Sequence, residues 1–224
     1  MRSTWLDIWN KKYSTKNALH VKAGFDNLTK EQYKKLANFS LEKIKIKPTD
    51  DILDVGCGSG AFLQEIQNYQ TISGVDYSEN AIKEIKKNLN GDFSCANADN
   101  LPFPNKSFSM TFCWSIFQYL ESDIAAQKVL NEMTRVTRDG GTVFVGDVQD
   151  ETKLDLRNNL KPKLETQRKP ISSYTPNSNF YKKSFFTKFA NKNNLLCTIY
   201  DEDLPELNFY IQSKWRFSVL FKLP

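Results

Sequence analysis

Histidine is nearly missing from this 224-residue chain, cysteine is sparse, and no apolar run reaches membrane-spanning length. The single histidine, His20, and four widely separated cysteines (Cys57, Cys95, Cys113 and Cys197) include no Cys-x-x-Cys pair. Little is left from which to build a transition-metal site or a disulfide framework, so no metal is expected and no disulfide is required. Residues 1–13 already carry Arg2, Asp7, Lys11 and Lys12, so neither a secretory leader nor a spanning helix is read there, and a soluble, cytoplasmic protein without membrane insertion is expected. Arginine is scarce as well. Lysine supplies 25 of the 31 basic residues, scattered along a chain of net charge +5. Bidentate readout of phosphate or guanine favours arginine, so this pattern describes a solvated surface and no nucleic-acid partner is expected. What is present is 40% hydrophobic and 13% aromatic content, enough to bury one sizeable core, and a single domain is expected.

Periodicity supplies the elements. Thr29 with Gln32 forms a capping-box pattern ahead of Tyr33, Leu36, Ala37, Leu41 and Ile44 at helical spacing, and Pro48 follows. The run Ile52-Leu53-Asp54-Val55 reads as a strand, Gly56-Cys57-Gly58-Ser59-Gly60 as a glycine turn, and Phe62, Leu63 and Ile66 as the apolar positions of a helix. The unit recurs: residues 71–75 read as a strand ending at Asp76, Ser78 caps a helix carrying Ile82, Ile85 and Leu89, and residues 93–98 read as a third strand. A fourth, residues 108–114, puts Phe108, Met110, Phe112 and Trp114 on one face, and Ala125, Ala126, Val129, Leu130, Met133 and Val136 define the helix after it. Asp139-Gly140-Gly141 then turns into a fifth strand over 142–146. Such alternation predicts an α/β fold, a mostly parallel sheet with helices on both faces and ligands at the carboxyl ends of its strands. Residues 150–180 are polar and break the pattern; a helix over 182–192 and strands near 195–200 and 215–221 follow.

Glycines between a buried strand and a helix let the backbone approach a ligand and adopt positive φ. Alone, such a turn fits a bare connection equally well. Asp54, two residues ahead of the first glycine, restricts the ligand: a carboxylate at this strand end repels a dinucleotide pyrophosphate and suits a cationic amine or sulfonium. It also fits a carboxylate that only holds the loop. Asp76, at the end of the second strand, is placed to accept hydrogen bonds from both hydroxyls of a ribose, or is a surface charge ahead of the Ser78 cap.

Three segments, Asp51-Ile-Leu-Asp-Val-Gly-Cys-Gly-Ser-Gly60, Gly74-Val-Asp-Tyr-Ser78 and Asn97-Ala-Asp-Asn-Leu-Pro-Phe103, resemble in order and spacing the class I, Rossmann-like S-adenosylmethionine-dependent methyltransferases, in their small-molecule (type 11-like) branch. The resemblance implies a seven-stranded sheet with an antiparallel last strand, which Lys214-Trp-Arg-Phe-Ser-Val-Leu-Phe-Lys222 fits. It implies S-adenosylmethionine as cofactor, with Gly56, Cys57, Gly58 and Gly60 against the methionine part near Asp54, Asp76 on the ribose, Tyr77 along the adenine, Asp99 at the adenine amino group, and Asn100 and Leu101 bordering the ring. Trp114 and Ser115 fall where cofactor and substrate meet in the family, although Trp114 equally suits the core. Trp9-Asn-Lys-Lys-Tyr13 and His20-Val-Lys-Ala-Gly-Phe-Asp26 are similar to the amino-terminal lid of small-molecule members, with Tyr13 at the methionine carboxylate end. The one methyltransferase domain then divides into lid and first helix (1–47), cofactor-binding core (50–147), acceptor cap after the fifth strand (150–181), and carboxyl-terminal helix and strands (182–224).

Methyl transfer from a sulfonium is an in-line displacement, and a base is needed only for some acceptors. His20 and Asp147 are the candidate catalytic residues, with Asp150 beside them. Cys113-Trp-Ser115 departs from the Asn/Asp-Pro-Pro-Tyr element of adenine-N6 methyltransferases, and no proline or threonine precedes Cys113 as in cytosine-C5 enzymes. The paired-glutamate loop of protein-arginine methyltransferases is not visible. The expected acceptor is an O or N atom of a small or glycan-linked molecule, with Tyr174 and Tyr181 of the cap against it. Three other readings stand beside this one: an RNA methyltransferase, supported by charge alone; an NAD(P)-dependent oxidoreductase, which leaves Asp54 and residues 97–103 unexplained; and a noncatalytic Rossmann-like binding protein.

Overall fold

The computed structural model describes residues 4–165 and 178–224. One seven-stranded sheet organises them, in the order β3-β2-β1-β4-β5-β7-β6. The strands are β1 (Asp51–Val55), β2 (Thr71–Asp76), β3 (Asp92–Cys95), β4 (Phe108–Trp114), β5 (Thr137–Gln149), β6 (Leu196–Asp201) and β7 (Arg216–Lys222). Strands β1 to β5 run parallel, and β7 is inserted antiparallel between β5 and β6. The order reverses at β1, with β2 on one side and β4 on the other, so connections leave the carboxyl ends of β1 and β4 in opposite directions and open a crevice there.

Both faces of the sheet are covered, as strands apolar on both sides require. Along β1, Leu53 and Val55 join one core with Val129, Leu130 and Met133 of α5 (Asp123–Val136) and Phe186 of α7 (Lys183–Lys192). Ile52 points the other way, to Tyr33 and Leu36 of α3 (Lys30–Ile44) and Ile82 and Ile85 of α4 (Glu79–Asn88). Thr29 and Gln32 close a reciprocal capping box on α3, and Ser78 and Ser122 cap α4 and α5 through their side-chain oxygens. The amino-terminal segment forms α1 (Trp5–Tyr13) and α2 (Leu19–Lys22). Two polar contacts fasten it over α4: Ser78 Oγ donates to Asn10 Oδ1 at 2.6 Å, and buried Lys22 pairs with Glu84 at 2.5 Å. No helix among the described residues is long and apolar enough to cross a membrane.

Three local expectations are corrected. Phe108 does not share a face with Met110, because the β4–β5 register jumps from Phe108↔Thr137 to Met110↔Thr142, and such an irregularity exchanges the faces. Behind the glycine turn there is a single 3-10 turn, Leu63–Glu65, in place of a helix. Ala61, Phe62 and Leu63 are consecutive and all buried, which no one-sided helix accommodates, and Asn68 at φ +58° turns the chain into β2. Within the polar stretch after β5 lies α6 (Leu154–Glu165), whose Leu154 and Leu156 stay exposed, so no apolar stripe announces it.

Candidate active site

A cavity of about 520 Å³ lies over the carboxyl ends of β1, β2 and β4 and against α1, within the range of about 300–1,000 Å³ typical of ligand pockets. Its floor begins at the glycine turn. Gly56 and Cys57 both donate their backbone N–H to the Val75 carbonyl, at 2.7 and 2.9 Å, which folds the turn back onto β2. Gly58 takes φ +53°, and a Cβ built there would stand 2.8 Å from the Tyr13 hydroxyl of α1. The turn continues into Asp76, whose carboxylate accepts from Gly58 N at 3.0 Å and Ser78 N at 2.9 Å. A carboxylate has about four lone-pair sites, so Asp76 retains acceptor capacity facing the cavity. Burial pushes its carboxyl up to about 6, against the opposing pull of the Ser78 and Gly58 amides.

Asp54 is buried and its Oδ1 has no hydrogen-bond partner. Burial first and the neighbouring Asp76 second hold this carboxyl well above the ordinary carboxylate range. An orphaned acid lining a cavity is the mark of a group awaiting a cation or donor. Beside it Trp114 is stacked between Phe25 and Phe62, at centroid distances of 5.0 and 4.5 Å. Tyr33 closes on Trp114 edge-on at 5.9 Å, its own hydroxyl also without a partner. Ser115 ends β4 at φ +61° and is held there by Gln118 Nε2, which donates to its carbonyl and its Oγ at 2.9 Å.

Of the residues expected around a cofactor, Tyr13, Asp54, Gly56, Cys57, Gly58, Asp76, Tyr77, Asp99, Trp114 and Ser115 line this one cavity. The other three stand behind it. A Cβ on Gly60 would meet Ile85 at 2.7 Å, so this glycine serves close packing of the turn on α4. Asn100 belongs to the turn closed by its N–H to the Asn97 carbonyl, and Leu101 is buried with its N–H on Glu132 and its carbonyl on Arg135.

Of the candidate catalytic and acceptor residues, His20, Asp147 and Tyr181 are not brought to the cavity. His20 is buried with Nε2 3.1 Å from the Leu28 carbonyl. Asp147 adopts φ +59° at the end of β5, which turns its carboxylate to the Tyr210 hydroxyl at 2.9 Å and Arg216 at 3.2 Å. Tyr181 is a core residue, 1% exposed, whose hydroxyl donates to the Phe117 carbonyl. Tyr174 lies outside the described residues. Conversely, Trp5, Phe25, Tyr33, Phe62 and Tyr119 line the cavity without having been singled out as site residues. Tyr33 and Phe62 were legible only as apolar positions of helices and Phe25 only as part of the lid-like segment, and nothing local marks Trp5 and Tyr119.

A family model described as a methyltransferase domain matches residues 52–141. The chain is 33% identical over 139 residues to an uncharacterized protein of Methanocaldococcus jannaschii, covering 61% of this chain and 53% of that one. It is 27% identical over 158 residues to the demethylmenaquinone methyltransferase of Desulfitobacterium hafniense, covering 60% and 61%. The chain thus carries a match to a methyltransferase domain over residues 52–141 and is similar, in sequence and in sheet order, to Rossmann-like S-adenosylmethionine-dependent methyltransferases. The fold superposes on a chain of the Haloferax volcanii complex between the Trm112 methyltransferase activator and the putative methyltransferase, with a TM-score of 0.67 at 15% identity over 94% of this chain and 100% of that one. Alignment to the two curated relatives spans little more than half of their length. The class it resembles binds S-adenosylmethionine, and the residues present fit it: an orphaned acid suits its cationic groups, and a turn with no side chain at Gly56 and Gly58 admits its amino-acid tail.

Outside the cavity, where the end of β5 meets β7, lies a buried ionic cluster. Glu202 accepts from Ser218 Oγ at 2.5 Å and from Asp147 N at 3.3 Å, and Arg216 donates to Gln118 and to the Asp147 carbonyl. Burial, then Asp147, push the Glu202 carboxyl up to about 8, because one guanidinium cannot neutralise two enclosed carboxylates. A folded value above the ordinary 4.5 means that the stability tied to this group is fully present below pH 4.5 and is lost as pH rises through 8. Glu202→Gln, which keeps the accepting oxygen and cannot ionise, should be more stable than the parent at pH 9 by a few kcal/mol and nearly equal to it at pH 4.5. Urea unfolding at the two pH values reads the difference; an equal effect at both would show that folding does not displace the Glu202 carboxyl from its ordinary range.

Proposed function

We propose that this chain transfers a methyl group from S-adenosylmethionine to a small-molecule or glycan-linked acceptor held in the cavity against α1. The observation that carries the reading is the meeting, in one cavity, of a glycine turn, the unpartnered Asp54 and an Asp76 with acceptor capacity to spare. When bound, the cofactor supplies an electrophilic methyl group on a sulfonium. The chain's own residues bind, orient and exclude water. Asp54 meets the ammonium of the amino-acid tail, the Gly56 to Gly58 backbone lies along that tail, Asp76 accepts from the ribose hydroxyls, and Tyr77 and Asp99 border the adenine. Tyr13 closes the turn from above, and the Phe25–Trp114–Phe62 stack keeps the far wall dry.

The similar demethylmenaquinone methyltransferase is named for a small acceptor, and no lysine or arginine lines the described cavity, which supports a small molecule over a phosphate backbone. An activator subunit such as the Trm112 protein of the Haloferax complex is a further partner to supply in the assay. Calorimetry with S-adenosylmethionine and S-adenosylhomocysteine tests the reading directly: both should bind at micromolar to submillimolar concentration. No heat with either at millimolar concentration, or binding of a nicotinamide dinucleotide in their place, would overturn it.

A further inference from the structure

Every charged side chain lining the cavity, among the described residues, is acidic: Asp54, Asp76, Asp99 and Glu121. Among the described residues no lysine, arginine or histidine lines it, in a chain that carries 31 basic residues and a net charge of +5. The rest of the wall is rich in rings. Trp5 and Trp9 meet Tyr119 at centroid distances of 4.6 and 5.3 Å, and Phe25, Trp114 and Phe62 form the stack already described. Carboxylates and aromatic faces both attract cations and disfavour anions.

For an alcohol or a thiol the described wall holds no histidine, and three of its acids, Asp54, Asp76 and Asp99, are those assigned above to the cofactor, which leaves the exposed Glu121 alone. His20 and Asp147 are buried elsewhere and engaged. The phenols of Tyr13 and Tyr33 are driven upward by burial and by the neighbouring acids, so they keep their protons. Asp54 loses its raised basicity once a ligand cation stands against it, because an adjacent positive charge favours the carboxylate. A carbon acceptor must also lose a proton, from the methylated carbon, so the nucleophiles that need no base are chiefly carboxylates and unprotonated amines. A carboxylate entering beside the bound cofactor would be desolvated against aromatic rings and Glu121, with no cationic side chain among the described residues to meet it.

We propose that the acceptor is an amine, methylated on nitrogen, an assignment that rests on the methyltransferase reading above. The amine is drawn in by the acidic, aromatic wall and gives up its proton to solvent. As the free base, its nitrogen lone pair forms the bond to the methyl carbon while the carbon–sulfur bond breaks with its electron pair going to sulfur. Positive charge passes from sulfur to nitrogen, and no protein group accepts a proton in that step. The acids and rings that attract the ammonium also suit the methylated ammonium product.

Three near-isosteric probes separate the possibilities: phenethylamine, 2-phenylethanol and phenylacetate. Trp5, Trp9 and Trp114 line the cavity, so tryptophan fluorescence reads their binding to protein saturated with S-adenosylhomocysteine. Phenethylamine should bind at least tenfold more tightly than either of the others. Glu121→Lys, an exposed substitution on the cavity wall, should weaken phenethylamine and strengthen phenylacetate several-fold each. No binding of the amine, equal binding of the three probes, or preference for phenylacetate overturns the amine assignment and leaves methyl transfer standing. Absence of S-adenosylhomocysteine binding, read beforehand by calorimetry, overturns the methyltransferase reading and the amine with it.

Discussion

Gly58→Val should abolish binding of S-adenosylhomocysteine, lowering affinity by at least a hundredfold in a protein that stays folded. Gly58 sits at φ +53°, where an L side chain costs roughly 1–2 kcal/mol and a β-branched one more. Its Cβ would lie 2.8 Å from the Tyr13 hydroxyl, on the side from which a ligand must approach the turn. Any twist that relieves this contact also disturbs the Gly58 N–H that holds Asp76 at 3.0 Å. The damage stays at the cavity, so the melting temperature should fall by only several degrees, about what 1–2 kcal/mol produces in a chain of this size. Gly60→Val is the contrasting case. There the new Cβ meets Ile85 and Leu89 at 2.7 and 3.0 Å in the core, and loss of the fold should precede any loss of affinity. Circular dichroism and calorimetry on the two variants distinguish the roles; unchanged affinity in folded Gly58→Val would remove the turn from the ligand site.

Residues that meet through short segments were legible from the chain, and those that meet through topology were not. β1, the glycine turn, β2 and Asp76 lie within 26 residues, and adjacent parallel strands bring their ends together without further information. Tyr33 was legible as an apolar position on α3, and it is buried as that spacing demands, but only the sheet order places α3 beside Trp114. Asp147 was legible at the end of a strand. Its direction was not, because it depends on a left-handed backbone and on Arg216, which arrives from β7 as the antiparallel neighbour of β5. Tyr181 read as part of a polar cap; a bridge between Asp150 and Tyr181 instead lays it along the end of β5, and the Phe117 carbonyl captures its hydroxyl. The short turn after Gly60 follows the same logic, since three consecutive apolar residues say that all are buried and not which element buries them.

Asp76→Ala should weaken S-adenosylhomocysteine binding at least a hundredfold, and the pH dependence of the parent protein gives the reason a sign. Hydrogen bonds from two ribose hydroxyls to a charged carboxylate are worth roughly 1.5–3 kcal/mol each, and the smaller figure taken twice already exceeds two decades of affinity. Those bonds form to the ionised acid, whereas in the ligand-free protein burial holds the Asp76 carboxyl up to about 6. Ligand binding must therefore expel a proton below that value, and affinity should fall by about tenfold per unit as pH drops below 6. Stability of the ligand-free fold moves the opposite way. A carboxyl raised above its ordinary 3.8 contributes stability that is fully present below pH 3.8 and lost as pH rises through 6. Affinity and stability thus carry opposite slopes across the same window, and Asp76→Ala should flatten both. The substitution also strips the Gly58 and Ser78 amides of their acceptor, so part of its effect is loosening of the turn. 5′-Methylthioadenosine, which keeps the ribose and lacks the amino-acid tail, separates the two contributions: it should lose the ribose share in Asp76→Ala and be little affected by a loosened tail site. A loss below tenfold for S-adenosylhomocysteine, with no pH slope in the parent, would reduce Asp76 to an organiser of the glycine turn.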